Sequence, residues 1–179
     1  MKRFPYIWQA FVCILLIILD QVSKHFVRLH LKNNPIELLE GVFSLHYLEN
    51  RGTIWGLLQG KIDYFLLVFV VMGLFLIYVY VRMPKTTYYL PLSWLITVVM
   101  AGAVGNTIDR FFFGYVTDFL YFELIDFPIF NIADCYLTVC SFLFIILFLT
   151  KYKDESFSFL VPRRKDVNHN ANQSDSDEN

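Results

Sequence analysis

The sequence predicts an all-α integral membrane protein, with four transmembrane helices and a small extracytoplasmic β-sheet, and three observations predict it. Of the 179 residues, 56% are hydrophobic and 18% aromatic, against about 45–50% apolar in an ordinary soluble domain. Four runs are long and apolar enough to cross a bilayer, which takes about 20 helical residues. Between the first two runs, Phe43, Leu45 and Tyr47 alternate with Ser44 and His46, the two-residue period of a strand.

The first span is predicted over residues 4–22, the second over 64–81, the third over 89–108 and the fourth over 132–150. Lys2 and Arg3 precede the first span as they would in a secretory signal, yet Asp-Gln-Val-Ser-Lys follows it in place of a small-residue cleavage site. It reads as a retained helix. Lys2, Arg3, Arg82, Lys85, Lys151 and Lys153 flank the spans on one side, and the positive-inside rule makes that side cytoplasmic, with both termini there. A four-helix membrane domain is thus expected over residues 1–153. Residues 154–179, polar and without apolar period, are expected to form a disordered cytoplasmic tail.

The intervening polar segments contain Pro35, Gly41, Gly52, Gly56 and Gly60, turn residues that fit a small sheet over the helix ends. Composition also excludes functions. A net charge of −1 with no basic face gives no reason to expect a nucleic-acid partner. Cys13, Cys135 and Cys140 lie in or beside apolar runs, and His25, His30, His46 and His169 are scattered. Neither set has metal-ligand spacing, so no metal or cofactor is expected.

Helices of alternating direction deliver Asp20, Asn106, Asp109, Arg110, Asn131 and Asp134 to the outer leaflet, with Asp118 in the outer connection. The cytoplasmic half of the bundle is expected to hold no such residues. A charge within hydrocarbon costs on the order of 2.5–3.5 kcal/mol and usually faces a cavity or a partner. Plainer readings compete residue by residue. Asp20 and Lys24 have the spacing of a helical ion pair, and Asp109 with Arg110 fits an interfacial charge pair. Asn131 fits a helix N-cap, and Asp134 fits a first-turn carboxylate favoured by the helix dipole. Spacing alone therefore stops at a polar site on the outer face. A small ion- or proton-coupled transporter is the alternative function, since intramembrane acids also serve proton relays. Such a relay needs polar groups at several depths.

Four segments together carry a resemblance. They are Asp20-Gln-Val-Ser-Lys24, Asn50-Arg-Gly52 with Trp55-Gly56, Gly105-Asn106-Thr-Ile-Asp109-Arg110 leading to Gly114-Tyr-Val-Thr-Asp118, and Phe130-Asn131-Ile-Ala133-Asp134. In this order the chain resembles the lipoprotein (type II) signal peptidases over about residues 5–150. The resemblance implies an intramembrane aspartyl endopeptidase without metal, acting at the outer leaflet of a bacterial cytoplasmic membrane. It implies removal of the signal peptide from diacylglyceryl-modified prolipoproteins, just before the lipidated cysteine. Membrane lipids are the other expected partners, and the chain is expected to act as a monomer. Asp118 and Asp134 match the catalytic pair. Asn50, Gly52, Asn106, Asp109, Arg110, Asn131 and Ala133 match groove-lining or supporting positions, and Asp20 and Lys24 match a supporting motif. Thr53, Ile54, Thr117, Tyr121 and Cys140 depart from the family's usual residues.

Overall fold

The computed structural model describes residues 5–52 and 62–160. Trp55, Gly56, Gly60 and the departures at Thr53 and Ile54 lie outside them, as do Lys2, Arg3 and the tail beyond Leu160. The described chain runs α1 (Tyr6–His30), β1 (Ile36–Leu39), β2 (Phe43–Asn50), α2 (Ile62–Arg82), α3 (Leu90–Phe113), β3 (Val116–Tyr121) and α4 (Ile132–Thr150). Helices α1 and α4 and the α3 region (from Thr87) are long and apolar enough to cross a membrane. Helix α2, also apolar, packs against α3.

Each boundary has a local cause. Helix α3 carries a proline in its first turn, where a missing N–H costs nothing. It stops at Gly114, whose φ of +73° only a residue without Cβ adopts readily, and whose N–H closes on the Arg110 carbonyl. Helix α4 opens with a reciprocal capping box between Asn131 and Asp134.

Two helices run beyond the expected apolar spans. Helix α1 continues past Val22 to His30, because Asp20, Lys24 and Val27 fall on one buried stripe. Charge ended the hydropathy run there, but a buried ion pair lets the helix continue. Helix α3 likewise runs on to Phe113. The strand expected over Phe43–Tyr47 extends to Asn50 and is the centre of an antiparallel sheet of order β1-β2-β3. Residues 154–160, expected as disordered tail, instead form a 3₁₀ helix. Its Phe157, Phe159 and Leu160 pack on a cluster of Val79, Met83, Leu92, Ile96 and Tyr152.

Outside, the helices are apolar. On α4 only Ala133 and Cys140 are buried, and Ile7, Phe112 and Leu149 are more than 70% exposed. Side chains of this kind are stable in contact with lipid, not water. The half of the bundle away from the sheet, expected to hold no such polar residues, does hold buried ones, and among the described residues these are uncharged. Buried Gln9 donates to Ser93 Oγ at 2.7 Å, and Tyr80 donates to Gln9 Oε1 at 2.7 Å, joining α1, α2 and α3.

Candidate active site

The ends of α1, α3 and α4 meet β2 and β3 at the sheet end of the bundle. Helix α1 approaches α3 so closely at Gly105 that a Cβ there would collide with the Asp20 carboxylate. Close approach matters because it brings Lys24 under the residues of the opposite helices. Lys24 is fully buried, with Nζ 2.9 Å from Asp20 Oδ2, 2.8 Å from Asn106 Oδ1 and 3.6 Å from Asp109 Oδ2. A buried ammonium needs such partners.

The amide orientations follow from groups with only one role. The Asp134 backbone N–H donates to Asn131 Oδ1 at 3.0 Å, so the Asn131 amide nitrogen must face the other way. It donates to Asp118 Oδ1 at 2.6 Å and to Asn106 Oδ1 at 3.2 Å. Lys24 can only donate, which independently fixes Asn106 Oδ1 as an acceptor. Asn106 Nδ2 then points to Asp134 Oδ1, at 2.9 Å. A two-amide bridge therefore joins Asp118 to Asp134. On its other side, Asp118 Oδ2 accepts from Asn50 Nδ2 at 2.8 Å, and Gly52 N–H fixes Asn50 through its Oδ1 at 3.0 Å.

The two carboxyls sit in different surroundings. Asp118 lies on β3, opposite Leu48 of β2, and is 1% exposed. Burial, then the nearby Asp134 charge, pushes its pKa up to about 7. Asp134 is only half-buried. Its Oδ2 accepts from the Asn131 N–H at 3.1 Å, and it occupies the first turn of α4, where the dipole favours negative charge. A buried carboxyl that holds a proton near neutrality, bridged to a second carboxyl, is an arrangement that general acid–base chemistry can use.

Every described member of the predicted set is brought to this end. Asp20 pairs with Lys24 and accepts from the Ala133 N–H at 3.0 Å, locking α1 to the first turn of α4. Asp109 is engaged by Lys24, by Arg28 at 3.4 Å and by the Thr117 N–H at 2.9 Å. Its oxygens thus serve α1 and β3 as well as any charge beside it in sequence. Arg110 donates to the Asn106 carbonyl at 3.4 Å and lies within electrostatic reach of Asp134, Asp118 and Asp109. Sequence reasoning missed Arg28, Thr117 and Gln21, whose Nε2 donates to the Gly105 carbonyl at 3.0 Å and to Asp109 Oδ1 at 3.3 Å. Arg28 had a signal: it follows Asp20 and Lys24 at four-residue steps on the same helical face. Among the described residues no group of three or more potential ligands gathers to hold a metal.

A membrane-embedded bundle that gathers two carboxyls and their amide donors at one end defines the class: a membrane hydrolase of aspartyl type. Comparison with known proteins narrows the class. The family model for signal peptidase (SPase) II matches residues 12–150. The chain is 42% identical over 143 residues to a lipoprotein signal peptidase of Streptococcus thermophilus (strain CNRZ 1066), covering 79% of this chain and 91% of that protein. It is 37% identical over 137 residues to a lipoprotein signal peptidase of Enterococcus faecalis (strain ATCC 700802 / V583), covering 74% and 84%. A bacterial membrane enzyme solved by the in meso method superimposes with a TM-score of 0.75 at 29% identity, covering 84% of this chain and 98% of the other. The chain belongs to the signal peptidase II family. It is a multi-pass membrane protease, not the transporter weighed as its alternative.

Proposed function

We propose that Asp118 and Asp134 are the catalytic carboxyls, and that this peptidase cuts diacylglyceryl-modified prolipoproteins just before the lipidated cysteine. The observation that carries the reading is the Asn131–Asn106 bridge, which ties the two carboxyls to one another and leaves their remaining lone pairs for substrate and water. Ionised Asp134 takes a proton from water, whose oxygen adds to the scissile carbonyl carbon. Protonated Asp118 donates to the carbonyl oxygen as charge develops there. The C–N bond then breaks as the proton taken by Asp134 passes to the departing nitrogen and a hydroxyl of the tetrahedral intermediate returns a proton to Asp118, restoring the pair. Arg110 and Asn106 supply charge and hydrogen-bonding beside the pair, and Asn50, Gly52, Ala133, Asp20, Lys24, Asp109 and Asn131 support it.

The same reading includes four crossings. Helix α2 has 21 residues, about 30 Å at 1.5 Å per residue, which matches the hydrocarbon core. Arg82, Lys85, Lys151 and Lys153 lie at the end away from the sheet, which favours that end, and both termini, on the cytoplasmic side of a bacterial inner membrane. The site then opens at the outer leaflet. Acyl chains of the substrate stay in lipid at that depth, each buried CH₂ contributing about 0.8 kcal/mol. The peptidase body extends to Leu160, followed by a cytoplasmic tail. All its site residues come from one chain, as a monomer requires.

Co-expression with a lipid-modified prolipoprotein tests the catalytic pair. Asp118→Asn and Asp134→Asn should each lower signal-peptide cleavage on the order of 10³-fold or more while the enzyme still accumulates in the membrane. Normal processing by either variant would remove that residue from the pair.

A further inference from the structure

Strand β3 carries Asp118, and the residue before it is gripped twice. Thr117 is fully buried. Its N–H donates to Asp109 Oδ2 at 2.9 Å, and its Oγ1 accepts from Arg28 Nη1 at 2.8 Å. The same Arg28 nitrogen lies 3.4 Å from Asp109 Oδ1, and the guanidinium carbon sits 4.3 Å from the centroid of the Phe113 ring. Arg28 thus joins α1, the last turn of α3 and β3 at one residue. A flat cation suits this place, because it can lie on a ring while its edge serves two acceptors.

Side chains alternate across a strand, so Thr117 and Asp118 face opposite ways. Holding Thr117 by both its backbone and its hydroxyl leaves the following peptide little freedom to rotate. The direction of the Asp118 carboxyl is then set from behind by Arg28 and Asp109, and from in front by Asn50 and Asn131. Neither Arg28 nor Thr117 touches either carboxyl of the pair.

We infer that Arg28, acting through the Thr117 hydroxyl, is a positioning residue that aims Asp118 at the substrate. The inference rests on Asp118 being catalytic.

Purified full-length enzyme in lipid nanodiscs, cleaving a diacylglyceryl-modified prolipoprotein, provides the test. Thr117→Val changes almost no volume and leaves a guanidinium N–H without its acceptor. It should lower kcat about tenfold with KM within about twofold. Arg28→Met should do the same. Thr117→Ser, which keeps the hydroxyl, should retain the wild-type kcat, and the Arg28→Met/Thr117→Val double variant should be no slower than the slower single one. Additive losses in the double variant, or a Thr117→Ser enzyme as slow as Thr117→Val, would overturn the inference. If Arg28→Met fails to accumulate, the Val and Ser variants at Thr117 decide alone. An Asp118→Asn control that still turns over at the normal rate would instead refute the catalytic reading, a result separable from the others.

Discussion

The two ends of the helical bundle are held by different forces. At the sheet end, Asp20, Lys24, Asp109 and Asp118 are almost completely buried, and each meets partners of fixed role. At the opposite end the buried polar groups among the described residues are neutral, and aromatic rings dominate. Tyr88 and Tyr152 meet edge to face at 5.2 Å, and Tyr89 and Tyr152 stack at 5.9 Å. Cations there stay at the surface over rings, as Lys151 does over Tyr88 at 5.3 Å. Apolar packing stabilises without dictating direction. Buried charge networks dictate direction but often add little net stability, and they fail badly when one member is lost. The bundle confines the second kind of order to the end where Asp118 and Asp134 are bridged.

The contrast is open to attack, beginning where the effect is largest. Lys24→Met leaves Asp20 and Asp109 buried beside a lost cation, and should destabilise the enzyme by about 3–5 kcal/mol. Thermal unfolding in detergent reads this loss, and a small change in Tm would mean that the cluster is far more solvated than its burial indicates. Next comes Asn131→Ala, which removes both the α4 cap and the link to Asp118. The cap accounts for about 1 kcal/mol of stability, whereas cleavage should fall about a hundredfold, the scale of lost catalytic hydrogen bonds. Measuring both on one preparation separates aim from stability.

Within the site, the two carboxyls should govern the pH profile together. Cleavage should decline tenfold per pH unit above an apparent pKa near 7, as the proton leaves a pair whose Asp118 is pushed up to that value. The sign for stability agrees. The folded site holds this proton more tightly than an unfolded carboxyl, so its stabilising contribution is complete below about 3.8 and lost as pH rises through about 7. A flat profile from pH 6 to 9 would contradict it. The smallest effect belongs to the other end. Tyr80→Phe removes one neutral hydrogen bond to Gln9, costs about 1 kcal/mol, and should leave kcat, KM and the pH profile unchanged.

The sequence carried much of this molecule. Residue spacing placed the α4 cap at Asn131 and the ion pair between Asp20 and Lys24, because both depend on neighbours one helical turn away. The helix expected over residues 132–150 coincides with α4, since a polar cap and a lysine bound a mostly apolar stretch. Strand β2 was legible in its alternation. Strands β1 and β3 were not: β1 is short and exposed, and Val116–Tyr121 alternates poorly because its first four residues are all buried. Such a strand shows no polar face to read.

Composition and local period were sufficient for what depends on the solvent and on short range: apolar spans suited to lipid, their caps, and the acids placed near helix ends. Asp118 and Asp134 were matched as a pair only by the family resemblance that four motifs carry together, not by composition or period. The amide bridge, the closeness of α1 to α3 at Gly105, and the grip of Arg28 on Thr117 join residues up to 89 positions apart. No local pattern encodes such contacts, because a buried charge finds its partner by proximity in the packed bundle. Tertiary packing therefore decided which carboxyl is desolvated, which amide faces it, and which arginine holds it in line.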